Sequence, residues 1–353
     1  MKQLRILLLF IATITLFSCS SGSDEGTGGG GSSSTAYTSL TMISTKTTVA
    51  VGDYITYVSK GNNTTDVSSQ AKLYINGALQ IGNIVQMNTA GTFDVYSTYV
   101  NSNNVTLTSN TIQVKVLTPI NYTKRVLVED FTGTWCGWCP RVSYGAEQVV
   151  AQTDKAEIVA IHQGSDPYNI STGSYSVTGY PTANLNRTTT WEYPEPSNVN
   201  QVVALTNGTN PKLGVAINST LANGSISADV KVKFGFDFTN LKLVVYVVEN
   251  GLIYNQTNYT TYYGGGSVIP NFVHNHVLRK IVTDISGDVI TGNTNQNDVY
   301  TKNFTFAVPS NVSNSANLDI VAFVIDSTGK AINVRTGAVG TNQTFEQDRK
   351  SVV

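Results

Sequence analysis

The sequence predicts a multidomain, β-rich chain: a β-sandwich, then an α/β unit, then a second antiparallel β-sandwich. Three observations predict it. Asn76-Gly77, Asn223-Gly224 and Asn250-Gly251 each sit between apolar or alternating segments, the strongest short-range signal for a turn between strands. The stretch VLVEDFTGTWCGWCP, Val126 to Pro140, runs from a buried-strand pattern into a helix start, because Pro140 is tolerated only in a first helical turn. Charged residues are only 13% of the chain, against roughly 25% in average soluble domains. Its 353 residues leave room for two or three domains. A formal net charge of −1 with no basic patch excludes nucleic acid as an expected partner.

Residues 1–18 read as a targeting segment, with Lys2 and Arg5 ahead of an apolar run too short for a membrane span. Leu16-Phe17-Ser18-Cys19 resembles the lipobox of bacterial lipoproteins, which implies cleavage before Cys19 and lipidation of it. Residues 19–36 then form a tether, Ser/Gly-rich with no apolar residue to bury from Ser20 to Ser34. From 37 to 118, short alternating segments with regular turn signals read as an immunoglobulin-like β-sandwich.

Residues 122–209 carry the chemistry. Two cysteines with two residues between them, at a helix start just after a strand, form a redox motif. The helix N-terminus favours a thiolate, so Cys136 suits the nucleophile and Cys139 the resolving thiol. Val142, Ala146, Val149 and Val150 follow at helical spacing, Glu157–His162 reads as a buried strand, Gly164–Gly179 as a polar loop, and Ser197 as the cap of a last helix.

With those residues in view, the unit resembles the thioredoxin superfamily. The resemblance implies a buried carboxylate at Asp130 that takes the proton of Cys139. It implies a cis proline at Pro181, in the loop Gly179-Tyr180-Pro181-Thr182, and an apolar docking surface from Trp135, Trp138 and Tyr180. Gly137-Trp138 stands where the best-known reductases have Gly-Pro, which leaves the potential open. The chain has three cysteines, so with Cys19 lipidated the one disulfide within the chain is Cys136–Cys139. The expected fold class is therefore an immunoglobulin-like β-sandwich, an α/β thioredoxin-like domain and a C-terminal antiparallel β-sandwich.

Residues 210–342 return to strand patterns, about eight of them, read as a jelly-roll-like sandwich; residues 343–353 read as a polar, loosely ordered tail. The lipoprotein start, the VLVEDFTGTWCGWCP unit and the HNHVLR stretch at His274–Arg279 together resemble the twenty-eight-kilodalton outer-membrane protein family of Gram-negative bacteria, from Tyr122 to about Gly340. That resemblance implies an outer-membrane, lipid-anchored protein on either membrane face.

Two functions compete. One is thiol–disulfide exchange on exported protein thiols and disulfides, as a thiol–disulfide oxidoreductase with no cofactor beyond the cysteine pair. The alternative is a surface binding or adhesion lipoprotein that contacts a surface protein partner and carries a structural CGWC disulfide. A weaker third is metal carriage by the cysteines with His162; His274 and His276, two apart on a strand, would face the same way but lack a third ligand, so no metal site is expected. The loop YTTYYGGGSVIP, Tyr259–Pro270, reads equally as a binding surface or a long connection.

Overall fold

The computed structural model describes residues 36–348. The stretch expected to be a signal segment, Cys19 and most of the expected tether lie outside the described residues. The described chain is mostly β-sheet, with two α-helices. Among the described residues no helix is long and apolar enough to cross a membrane.

The first ten strands form the N-terminal sandwich. They are β1 (Leu40–Ser44), β2 (Thr48–Ala50), β3 (Tyr54–Gly61), β4 (Thr65–Asp66), β5 (Lys72–Ile75), β6 (Ala78–Leu79), β7 (Ile84–Gln86), β8 (Gly91–Val100), β9 (Thr106–Thr108) and β10 (Ile112–Leu117). One sheet runs β1-β3-β4 with β7 on β3, the other β2-β10-β8-β5-β6 with β9 on β8. Alternation in β3 turns Ile55 and Tyr57 inward onto Met42, Leu73, Val95 and Val114. Asn76 and Gly77 take the positive φ of 47° and 79° that this two-residue turn needs.

The rest of the chain is organised by one mixed sheet. Its parallel pair is β11 (Val126–Thr132) and β12 (Ala156–His162), joined by α1 (Pro140–Val150). β13 (Thr182–Leu185) pairs antiparallel with β11, and β14 (Thr189–Thr190) edges it. The helix α2 (Val199–Thr206) packs with α1 and the buried Trp191 on one face, around Val128, Val142, Val149 and Val202. Its N-cap is Asn198, not Ser197: Ser197 lies in a short 3-10 turn, and Asn198 spends its amide on the carbonyls of Glu192 and Pro194.

Ten further strands complete the chain. The hairpin β15 (Leu213–Ala222) and β16 (Ser225–Phe234) is followed by β17 (Lys242–Glu249), β18 (Leu252–Thr257), β19 (Val268–His274), β20 (Val277–Ile281), β21 (Asp288–Val289), β22 (Val299–Ala307), β23 (Leu318–Ile325) and β24 (Ala331–Ala338). The sheet order is β14-β13-β11-β12-β20-β17-β23-β24, with β21 on β17. The expected units 122–209 and 210–342 thus share one nine-stranded sheet, joined where Ala160 of β12 meets Val277 of β20. The α/β order is present locally, but its sheet is not a separate body.

The reason lies in β17 and β23. Leu243, Val245 and Val247 of β17 face the three-stranded sheet β15-β16-β22, while Val244, Tyr246 and Val248 face the opposite side with Leu127, Phe131 and Phe323. Strands buried on both faces read as continuous apolar runs, and they belong inside a larger sheet rather than in a two-layer jelly roll. Asn250-Gly251 accordingly does not close a hairpin: β17 pairs with β20 and β23, whereas β18 leaves to pair with β19.

The expected loose tail is fastened as far as it is described. Arg125 donates to both carboxylate oxygens of Glu346, at 2.9 and 3.0 Å, the Phe345 ring meets Tyr122 edge-on, and Gln347 bridges to Tyr122.

Candidate functional site at the cysteine pair

The sheet carries the site at the end of β11. After Thr132 the chain leaves the strand, and Cys136 and Cys139 are joined in a disulfide. Cys139 is the N-cap of α1 and Pro140 its first residue, so the positive end of the helix lies beside the pair, while the Arg141 and Val142 N–H groups donate to the Trp138 and Cys139 carbonyls. Cys136 keeps 5% of its surface exposed and Cys139 1%.

The flanking aromatics divide between two walls. The Trp135 indole N–H donates to the Gln163 carbonyl at 2.9 Å, and its ring meets Tyr180 edge-on at 5.2 Å. The Tyr180 hydroxyl donates to Gln163 Oε1 at 2.7 Å, so Gln163 holds both rings. The Tyr180–Pro181 peptide bond is cis. On the other side Trp138 meets Tyr259 edge-on at 5.7 Å. Trp135 and Trp138 remain 40% and 52% exposed.

Strand alternation separates the two acids of β11. Glu129 points into the core opposite α1, where it accepts from the Tyr175 hydroxyl at 2.5 Å and the Tyr246 hydroxyl at 3.2 Å and pairs with Arg187 at 3.4 Å. Asp130 points the other way, under α1. It is buried, its Oδ1 has no hydrogen-bond partner, and burial pushes its pKa up to about 8, with the charge of Glu195 adding and Arg141 opposing. Glu195 is itself buried and paired with Arg141.

Asp130 opens onto a cavity of about 280 Å³ beneath α1, shared with Ser143, Glu147, His162, His274 and His276. The His162 and His274 rings meet edge-on at 5.3 Å. Burial, and then the neighbouring His162, push His274 down to about 4, and its Nε2 lacks a partner. His162 Nδ1 lies 3.1 Å from Asp166 Oδ1, in an off-line approach rather than an aligned hydrogen bond. Burial works to raise Asp166, yet the His162 imidazole and the N–H groups of Thr134 and Tyr168 outweigh it and hold the carboxyl down, at about 2.

His274 and His276 do not share a strand as the sequence suggests. His274 ends β19 and His276 turns into β20 with φ 58°, although both reach the cavity. Among the described residues, no three of His, Cys, Asp and Glu are placed to hold a metal ion.

The structure thus brings Cys136, Cys139, Trp135, Trp138, Asp130, Tyr180 and His162 to one end of the sheet. Sequence reasoning missed Gln163, Asp166, Glu195 and Gln256. None has a local signature, because each earns its place through long-range packing. Tyr259 had one: it opens the tyrosine-rich segment that could have pointed here.

The molecule is a β-rich protein with an almost wholly buried disulfide at a helix N-terminus. Residues 169–343, just under half of the chain, match the family model described as outer membrane protein Omp28, and over that stretch the family likeness first read from the sequence is shown. The match begins at 169 rather than near Tyr122, so the cysteine pair precedes it. No curated protein matches the chain. Among solved structures, HBP35 of Porphyromonas gingivalis is 19% identical with a TM-score of 0.47, over 62% of this chain and 76% of its own. A protein from Agrobacterium tumefaciens is 11% identical, with a TM-score of 0.37, over 62% of this chain and 96% of its own. The fibronectin(III)-like modules of Clostridium thermocellum CbhA reach 8% and 0.29, over 86% of this chain and 94% of their own. At these scores the likenesses carry no functional weight.

Proposed function

We propose that the chain is a lipid-anchored outer-membrane protein whose residues 122–209 form a thioredoxin-like unit that performs thiol–disulfide exchange on exported proteins. The family match supports the compartment. The observation that carries the chemistry is the disulfide at the start of α1, with Asp130 buried beneath the same helix, its Oδ1 unpartnered and its pKa raised by that burial.

In the reducing direction, the Cys136 thiolate attacks a substrate disulfide. One Cys136–substrate S–S bond forms as the substrate's own breaks, and the departing sulfur takes a proton. Asp130, mostly protonated at neutral pH, first releases its own proton to solvent; Cys139 then gives its proton to the resulting carboxylate and attacks Cys136, which restores the Cys136–Cys139 bond and frees the second substrate thiol. The oxidised pair runs the same steps in reverse on a substrate dithiol. That direction suits an oxidising compartment with no thiol pool. The helix N-terminus stabilises the Cys136 thiolate, and a carboxyl near 8 exchanges protons close to neutral pH.

Equilibration of the protein with glutathione buffers tests this. A potential between roughly −120 and −270 mV fits exchange, and Cys139→Ser should then trap mixed disulfides with partner proteins. A potential below about −300 mV would mark a structural disulfide. One observation favours that second reading, a surface-binding protein with an inert bridge: both cysteines are almost wholly buried.

A further inference from the structure

β18 and β19 pair only with each other, and the segment between them, Asn258 to Ser267, is too long for a tight turn. It runs back along the cysteine loop. The Gln256 side-chain amide donates to the carbonyls of Gly133 and Cys136, at 3.1 and 2.9 Å. The Thr257 N–H donates to the Thr134 carbonyl at 2.8 Å, and the Tyr259 N–H to the Gly137 carbonyl at 2.7 Å. Four carbonyls around the cysteines therefore accept from residues 256–259, the end of β18 and the start of the connection.

The rings add to the hold. A Cβ at residue 137 would lie 2.4 Å from the Tyr259 ring, so only glycine allows the tyrosine to sit there. Tyr262 stacks on Tyr144 of α1 at 4.8 Å, and the Tyr263 hydroxyl donates to Glu147 of α1 at 2.9 Å. Tyr259 is nevertheless 62% exposed, and Gly264 and Gly265, at φ 88° and 78°, have open space around them. Gln256 and Asn258 anchor the base of the segment and are buried, whereas the half-exposed Tyr259 and Tyr262 rings and the exposed Tyr263–Glu147 bond hold its outer part, which opens locally at lower cost than global unfolding.

We infer that residues 256–263 form an access strap, in which Gln256 and Tyr259 determine which thiols reach Cys136. Closed, the strap admits small reagents and extended chain segments from the Trp135–Tyr180 side and keeps folded protein thiols away. Lifted, it exposes the pair to both. This inference rests on the exchange reading, and it explains how a reactive pair can be as buried as Cys136 and Cys139 are.

The test compares two reductants on the oxidised protein. Tris(2-carboxyethyl)phosphine is small: phosphorus displaces one cysteine sulfur from the other, and water converts the adduct to phosphine oxide and two thiols. Reduced thioredoxin is protein-sized: its dithiol becomes a disulfide as Cys136–Cys139 becomes a dithiol. Tyr259→Ala, and separately the double change Tyr262→Ala with Tyr263→Ala, should raise the thioredoxin rate about tenfold and the phosphine rate less, as expected when opening limits access. The glutathione potential should stay unchanged, and unfolding midpoints confirm that each variant is folded. Rates within about twofold of wild type for both reductants in both folded variants would overturn the strap, as would a potential shift large enough to account for the faster reaction. A potential below about −300 mV would remove the exchange reading alone. The phosphine rates need no reversible exchange, so they would still report whether the strap governs access.

Discussion

Replacing Asp130 with asparagine should stabilise the oxidised protein at neutral pH, and the gain should disappear in acid. In the fold the carboxyl is buried without a partner on Oδ1, and its pKa is pushed up from 3.8 to about 8. Below about pH 4 both folded and unfolded chains hold this proton. Between about pH 4 and 8 the unfolded chain has released it and the folded chain has not, so stability falls as pH rises through that window. Roughly three pH units lie between the unfolded value and pH 7; at about 1.4 kcal/mol each, the penalty reaches about 4 kcal/mol. Asparagine removes it but buries an amide in the same place, and an unsatisfied donor costs about 1–3 kcal/mol. The net gain at pH 7 should therefore be about 1–3 kcal/mol. Urea unfolding of both proteins at intervals from pH 4 to 9 measures it. The difference between the two curves is the diagnostic quantity, because His274 and His276 titrate with the opposite sign in part of the same range. A difference equal at pH 4 and pH 7 would refute the reasoning.

His274→Gln should remove part of the acid sensitivity. Its folded pKa is pushed down from 6.5 to about 4, so the wild type loses up to about 3 kcal/mol as pH falls through that interval, and a variant with an unchanged acid limb would contradict this. Arg187→Met leaves Glu129 buried against two phenols without its cation, and should lower unfolding stability by about 3–5 kcal/mol; a loss under about 1 kcal/mol would show that the phenols suffice. Gly235→Ala drives a Cβ to 1.9 Å from the Ile120 carbonyl oxygen, a backbone atom that cannot swing away. It should cost about 1–3 kcal/mol or more and loosen the N-terminal sandwich, read as faster proteolysis near residues 118–121.

Much of this architecture was legible locally. The hairpins at Asn76-Gly77 and Asn223-Gly224, the helix start at Pro140 and the split between Glu129 and Asp130 follow from turn chemistry and strand alternation. What was not legible is which sheet a strand joins. LVVYVV in β17 announces burial on both faces, but no residue in it says that β12 lies two strands away through β20. The same limit hid the strap. Asn250-Gly251 resembles the other turns, yet the chain there passes from one sheet to another, and Gln256 acquires its role only because β18 is carried over the cysteine loop. The tail misled for a related reason: its polar residues bury little themselves but complete an ion pair begun by Arg125.

The shared sheet also fixes an order of events during synthesis. β12 lacks its outer neighbour until residue 277 has been made, and the start of β11 is not latched by Glu346 until residue 346 has emerged. The N-terminal sandwich, whose pairings all fall between residues 40 and 117, can close while the rest is still a nascent thread. The two thiols meanwhile travel through an incomplete chain with neither strap nor outer strands in place. Oxidation in that interval would join them before their final surroundings exist, and the finished fold would then inherit the bridge rather than choose it.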